Sequence, residues 1–105
     1  MRTNCRLDAV LGMVSGKWKV LLLWELHERP CRFGELRRRL TGISEKVLSA
    51  QLRELEADGL CRRVEYPGAV LHVEYSLTDS GTALLEALVP ITEWSLAHLE
   101  KPMPG

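Results

Sequence analysis

Lys46, Ser49, Ala50 and Arg53 recur at intervals of three and four residues, the spacing that sets side chains next to one another on a helix. Stepping 100° per residue from Leu48 puts Lys46, Ala50 and Arg53 on the opposite side, with Ser49 beside them. Such a face can read base edges. Arginine and lysine donate to guanine, serine donates or accepts, and alanine touches the thymine methyl. An ordinary solvated helix face has the same composition, so the elements around it must decide.

Charge along the chain is segregated although the total is zero. From residue 29 to 63, nine arginines and lysines face five acids, a net +4, whereas from 64 to 105 one lysine faces six acids, a net −5. A basic middle and an acidic last third predict two faces with different partners. Arg37, Arg38 and Arg39 are consecutive and point three ways around a helix, so only one or two can meet phosphate. Arg62 and Arg63 alternate across a strand, so only one faces any given partner.

Other chemistries find less support. No glycine-rich phosphate loop, nucleophile elbow or zinc signature is present, and the reading excludes an enzyme and assigns no cofactor. His27, His72, His98, Cys31 and Cys61 lack ligand spacing and make a metal sensor only if folding gathers them. Three cysteines without close pairing fit reduced thiols. The longest apolar run, 20–24, is too short for a bilayer, and the first residues lack a secretion pattern, so a cytoplasmic location without membrane contact is expected.

The elements that must position the basic face follow from periodicity and punctuation. One domain is expected over 1–105. A first helix over 7–14 carries Val10, Leu11 and Val14 on one side and breaks at Gly16. A second, over 17–28, is apolar nearly all round and therefore central, with Trp18 and Trp24 in the core. Arg29-Pro30 ends it. Phe33, Leu36 and Leu40 share a face of a short third helix, and Thr41-Gly42 turns the chain. Ser44 then caps a fourth helix, with Glu45 in its first turn, Val47, Leu48, Leu52 and Leu55 inward, and Asp58-Gly59 as its stop. Alternation over 60–66 and 72–77 around Pro67-Gly68 predicts a hairpin. Thr78 caps a last helix to about Leu99, with a kink or break near Leu88-Val89 imposed by Pro90, and the tail 101–105 is expected to be loose. The fold class is mainly α with a small β-hairpin wing, in the order of a winged helix-turn-helix.

The run from Arg32-Phe33-Gly34-Glu35-Leu36 through Gly42-Ile43-Ser44, Val47-Leu48-Ser49 and Leu52-Arg53-Glu54-Leu55 to Asp58-Gly59-Leu60 resembles the HxlR-type family of bacterial regulators. Gly16-Lys17-Trp18 and Val73-Glu74-Tyr75-Ser76-Leu77-Thr78 resemble it as well, as do Cys5 and Trp94, so the likeness spans 5–98. It implies a homodimeric repressor or activator on double-stranded, palindromic operator DNA, with a repressor the reading adopted. On that reading Ser44, Lys46, Ser49, Ala50, Gln51 and Arg53 of the fourth helix meet DNA. Arg32, Arg37 and Arg38 join them from the third helix, and Arg63 and His72 from the wing. Two departures bear on this: Val70-Leu71-His72 replaces two prolines and an arginine common at the wing tip, and Gln51 stands where many members have arginine.

Leu7, Val10 and Leu11 of the first helix and Leu84, Leu88, Ile91 and Trp94 of the last are the expected dimer interface, because the last helix has more apolar surface than one domain needs. Cys5 is the candidate redox sensor: Arg6 and the following helix N-terminus favour its thiolate, and Asp8 opposes them. Cys31 and Cys61 are poorer candidates. A small-molecule or oxidant effector fits this reading. The competing readings are a winged-helix module for protein–protein contact, whose outer helix face would be apolar or acidic, and a metal-sensing repressor.

Overall fold

Lys19, Leu22, Leu23 and Leu26 fall on one stripe at helical spacing and are the buried residues of the helix that carries them. The computed structural model describes residues 6–99; the readings made at Cys5 and at the 101–105 tail lie outside the described residues. In chain order the elements are α1 (Arg6–Met13), α2 (Trp18–Glu28), α3 (Phe33–Arg39), α4 (Glu45–Ala57), β1 (Cys61–Tyr66), β2 (His72–Leu77) and α5 (Asp79–His98). The two strands form one antiparallel hairpin with Cys61 opposite Leu77 and Tyr66 opposite His72. The wing expected from alternation and from Pro67-Gly68 is therefore present, in a mainly α fold.

The core joins all of these, though α1 buries no side chain fully and reaches it only through the partly buried Met13 at its end. Leu22, Leu23 and Leu26 of α2 meet Leu36 of α3, Leu48, Leu52 and Leu55 of α4, Leu60 and Cys61 at the hairpin base, and Leu85 of α5. Full burial of a leucine stabilises by about 1.5–3 kcal/mol, so this cluster fixes the relative positions of the helices. The turns between them follow their residues. Gly42, between α3 and α4, has φ +95°, and Gly59, after α4, has φ +75°, a region that side chains other than glycine rarely enter. Ser44 caps α4, its Oγ accepting the Val47 N–H at 3.1 Å, and Thr78 caps α5 by accepting the Gly81 N–H at 3.0 Å.

Three expectations are corrected. Trp24 is 54% exposed rather than core: it lies 200° around α2 from Leu22, and only Trp18 of the pair packs against the core. Val47 is 37% exposed, because one residue back from Leu48 turns the side chain 100° out of the stripe shared with Leu52 and Leu55. Of the kink or break expected at Pro90, the break is absent, since the last helix runs from Asp79 to His98 with Pro90 inside it. Glu86, whose carbonyl loses a donor at Pro90, is exposed, so water can take the missing donor's place.

Candidate nucleic-acid interface

α3 and α4 are joined by a tight turn, and α4 buries Leu48, Leu52 and Leu55 while leaving the other side open. Lys46 and Arg53 are exposed on that open side, and Ser49, Ala50 and Gln51 are half-buried between them. The Arg53 guanidinium donates to Ser49 Oγ at 2.8 Å, so the two residues expected to share one face do share it. Ser44 is exposed at the N-terminal end and occupied in capping. Helix α4 thus presents a polar, cationic strip, held by a rigid apolar back.

The arginines of α3 divide as three directions around a helix require. Arg39 turns to α2, at 3.2 Å from Glu25 and 4.0 Å from Glu28, and serves the packing of the two helices. Arg37 stands 3.6 Å from Glu45 at the start of α4. Arg38 and Arg32 line a shallow notch with Gly34 and Glu35, and the Arg32 backbone N–H donates to Glu35 at 2.9 Å. A phosphate could therefore reach Arg32 and Arg38 directly, whereas Arg37 would have to leave an exposed ion pair, which holds it by no more than about 1 kcal/mol.

Acidic neighbours change the wing from what its cations suggest. Arg63 pairs with Glu65, and His72 Nε2 lies 2.9 Å from Glu74 Oε2 with the Tyr66 ring edge-on at 5.4 Å. Both acids sit two residues from their partners, which is the same face of a strand, so this pairing was available from the alternation and was not drawn from it. Lys19 was missed altogether. Its ammonium is 2.5 Å from Glu54 of α4, and it is the buried charged residue among those described. Its spacing to Leu22, Leu23 and Leu26 was the available signal.

The histidines and cysteines named as potential metal ligands are kept apart. His27 stacks on Trp24, His98 stacks on Trp94, and His72 holds Glu74. Cys31 is fully buried, bridged by its backbone to Tyr75 at 2.9 and 2.8 Å. Burial, reinforced by Glu35 and Glu25, pushes its thiol up to about 11; burial and Glu56 push Cys61 up to about 12. Near neutral pH both are thiols rather than thiolates, the less reactive form.

The expected dimer residues fall into two groups. Leu7, Leu11, Ile91 and Trp94 are exposed, each by more than half, and Val10 is half-buried. Leu84 packs against the chain's own core, and Leu88 lines an apolar furrow between α2 and α5 with Val20, Leu21 and Trp24. Leu84 thus serves the monomer first. Among the described residues, no helix is long and apolar enough to cross a membrane.

A short helix, a tight turn, a second helix with Lys46 and Arg53 on its open side, and a following hairpin define a winged helix-turn-helix transcriptional regulator. The chain belongs to the HxlR-like helix-turn-helix family, whose model matches residues 13–103. It is 48% identical over 89 residues to an HTH-type transcriptional regulator of Halalkalibacterium halodurans, covering 84% of this chain and 79% of that protein. Among solved structures it resembles a transcriptional regulator of the MarR family from Enterococcus faecalis V583, with TM-score 0.86 and 38% identity over 92% of this chain and 88% of that one. It also resembles the redox regulator HypR in its reduced form, with TM-score 0.83 and 36% identity over 90% of this chain and 94% of that one.

Proposed function

We propose that this regulator binds operator DNA sequence-specifically as a homodimer, with α4 in the major groove, and that it represses transcription there. The strip formed by the exposed Lys46 and Arg53 with the half-buried Ser49 and Ala50 between them, on a helix with a buried back, carries this reading. A helix of this diameter fits the major groove, and the strip offers the donors and the methyl that base edges require. Gln51 lies at its margin, and Ser44, Arg32, Arg37 and Arg38 flank it where phosphates would pass. Arg63 and His72 are secondary, because carboxylates already hold them. A protein-docking role for α4 fits less well, since an apolar or acidic outer face is what it would need.

On an operator selected from random duplexes, Arg53→Ala or Lys46→Ala is expected to cost about 1–3 kcal/mol and to relax preference at one base pair. Gel shifts in which both variants bind like the wild type would remove α4 from the groove.

The dimer reading rests on the exposed apolar residues of α1 and α5, an unusual amount of uncovered surface for a solitary domain. Light scattering at micromolar concentration is expected to give twice the 11.9 kDa chain mass; the monomer mass would reject it. Two-fold symmetry then predicts palindromic half-sites about one or two helical turns apart.

Response to oxidants is supported by the likeness to HypR, described as a redox regulator, and by the burial of the other two thiols, which leaves Cys5 as the cysteine for the role. Diamide is expected to change operator affinity in the wild type and in Cys31→Ser but not in Cys5→Ser. Equal responses of wild type and Cys5→Ser would dismiss Cys5 as the switch.

A further inference from the structure

The outward strip of α4 offers donors and methyl groups in place of acceptors. Lys46 and Arg53 can only donate. Ser49 Oγ already accepts from the Arg53 guanidinium at 2.8 Å, so its own proton is directed away from that bond and is left to donate. Ala50 adds a methyl, and Val47, 37% exposed and 60° from Ala50 around the helix, adds two more. Three acids of α4 could have supplied acceptors, and all three are drawn elsewhere. Glu54 holds Lys19 of α2, Glu45 stands 3.6 Å from Arg37 of α3, and Glu56 is half-buried, close enough to Cys61 to raise its thiol. Gln51, the remaining polar residue of the helix, is turned 200° from Arg53.

We propose that each operator half-site carries two guanines on one strand, two or three base steps apart and read by Lys46 and Arg53, with a thymine between them against Ala50 and Val47. Ser49 is the positioning residue that holds the Arg53 fork ready for its guanine. This rests on the reading of α4 as the major-groove helix. In that groove guanine shows two acceptors, N7 and O6, and thymine shows a methyl. Cytosine N4 and adenine N6 are donors, which need a carboxylate or an amide opposite them. The strip supplies what guanine and thymine require and withholds what the other two require. Seven residues separate Lys46 from Arg53, about 10.5 Å along the helix at 1.5 Å each. That is about three base steps at 3.4 Å for a helix lying along the groove, and fewer for one set at an angle. The role of Ser49 follows from entropy. An exposed arginine has many rotamers to lose on binding, and a hydrogen bond four residues back along the helix removes part of that freedom before DNA arrives.

The test uses the full chain on a duplex that the wild type selects from a random library. 7-Deazaguanine, which lacks the N7 acceptor, replaces one guanine at a time and is expected to lower affinity roughly tenfold at each of the two. Inosine keeps N7 and O6 and is expected to bind within about twofold of guanine. Uracil in place of the intervening thymine removes a methyl and is expected to cost roughly fourfold. Arg53→Ala should become indifferent to 7-deazaguanine at its own guanine and keep the loss at the other. Ser49→Ala should lose most of the discrimination at the Arg53 guanine, with a urea midpoint no lower than the wild type's and an unchanged salt slope, since no phosphate contact is removed. Ser49→Thr, which keeps the hydroxyl, should restore it. An A·T pair at the step whose preference Arg53→Ala relaxes, guanines on opposite strands, or full affinity with 7-deazaguanine at both places overturns the base assignment while leaving α4 in the groove. Wild-type discrimination in Ser49→Ala removes Ser49 from positioning. If Arg53→Ala and Lys46→Ala select the same sequence as the wild type, or the wild type selects none, the reading of α4 fails and this inference falls with it.

Discussion

Gly81→Ala is expected to destabilise the protein by more than about 3 kcal/mol, a large share of the 5–15 kcal/mol by which domains are usually stable. Gly81 is buried in the first turn of α5, where the helix crosses the base of the hairpin. A Cβ there would stand 2.0 Å from the Leu60 carbonyl oxygen, 3.0 Å from its carbon and 3.2 Å from Leu77 Cδ2. A long side chain could swing away, but a backbone carbonyl held by its own hydrogen bond cannot: Leu60 O accepts the Thr78 N–H at 3.1 Å. Relief requires α5 to lift from the hairpin, taking with it Leu85 and the Thr78 cap, whose hydroxyl also donates to Gly59 O at 2.6 Å. Gly12→Ala is the control, since nothing lies within 4 Å of that Cβ, and in a helix the change is worth up to about 1 kcal/mol of added stability. Urea midpoints decide the matter. Equal midpoints for Gly81→Ala and wild type would contradict the close approach.

The second large effect is an asymmetry. Lys19 is 6% exposed and its ammonium meets Glu54, whose side chain is 54% exposed. Removing the glutamate leaves a charge in the core with its partner gone; removing the lysine leaves a carboxylate that water can reach. Glu54→Ala is therefore expected to cost about 3 kcal/mol, the lower end of the range for stranded buried charges because Glu54 is half open to solvent. Lys19→Met, which fills similar volume without charge, is expected to fall within about 1 kcal/mol of wild type. Thermal and urea unfolding of both variants measure this. Equal losses would mean that Lys19 reaches solvent without Glu54. Because the pair ties α2 to α4, Glu54→Ala should also weaken operator binding by a mispositioned reading helix, even though Glu54 belongs to no base-reading strip.

The order of helices, the Gly42 and Gly59 turns, the Ser44 and Thr78 caps and the wing were legible in the chain because each depends on neighbours within a few residues. Periodicity assigns the inward face of α4, and so its outward strip, without knowledge of anything else in the molecule. The same logic misplaced Trp24: an apolar helix looks buried on every side, while the number of its sides that are covered is set by elements distant in sequence. Lys19 shows the converse, a charge whose burial depends on Glu54, thirty-five residues away along the chain.

By itself, then, the sequence determined local geometry: which segments wind, where they stop, and which side of α4 is polar, all settled by short-range sterics and hydrogen bonding. Tertiary structure alone decided which charges are free to act. It sent Arg39 to Glu25, left Arg38 beside Arg32, pushed the Cys31 and Cys61 thiols up by burying them, and put Gly81 against the Leu60 carbonyl. Those outcomes depend on distances between segments remote in the chain, and Coulomb attraction, desolvation and steric exclusion all act through such distances.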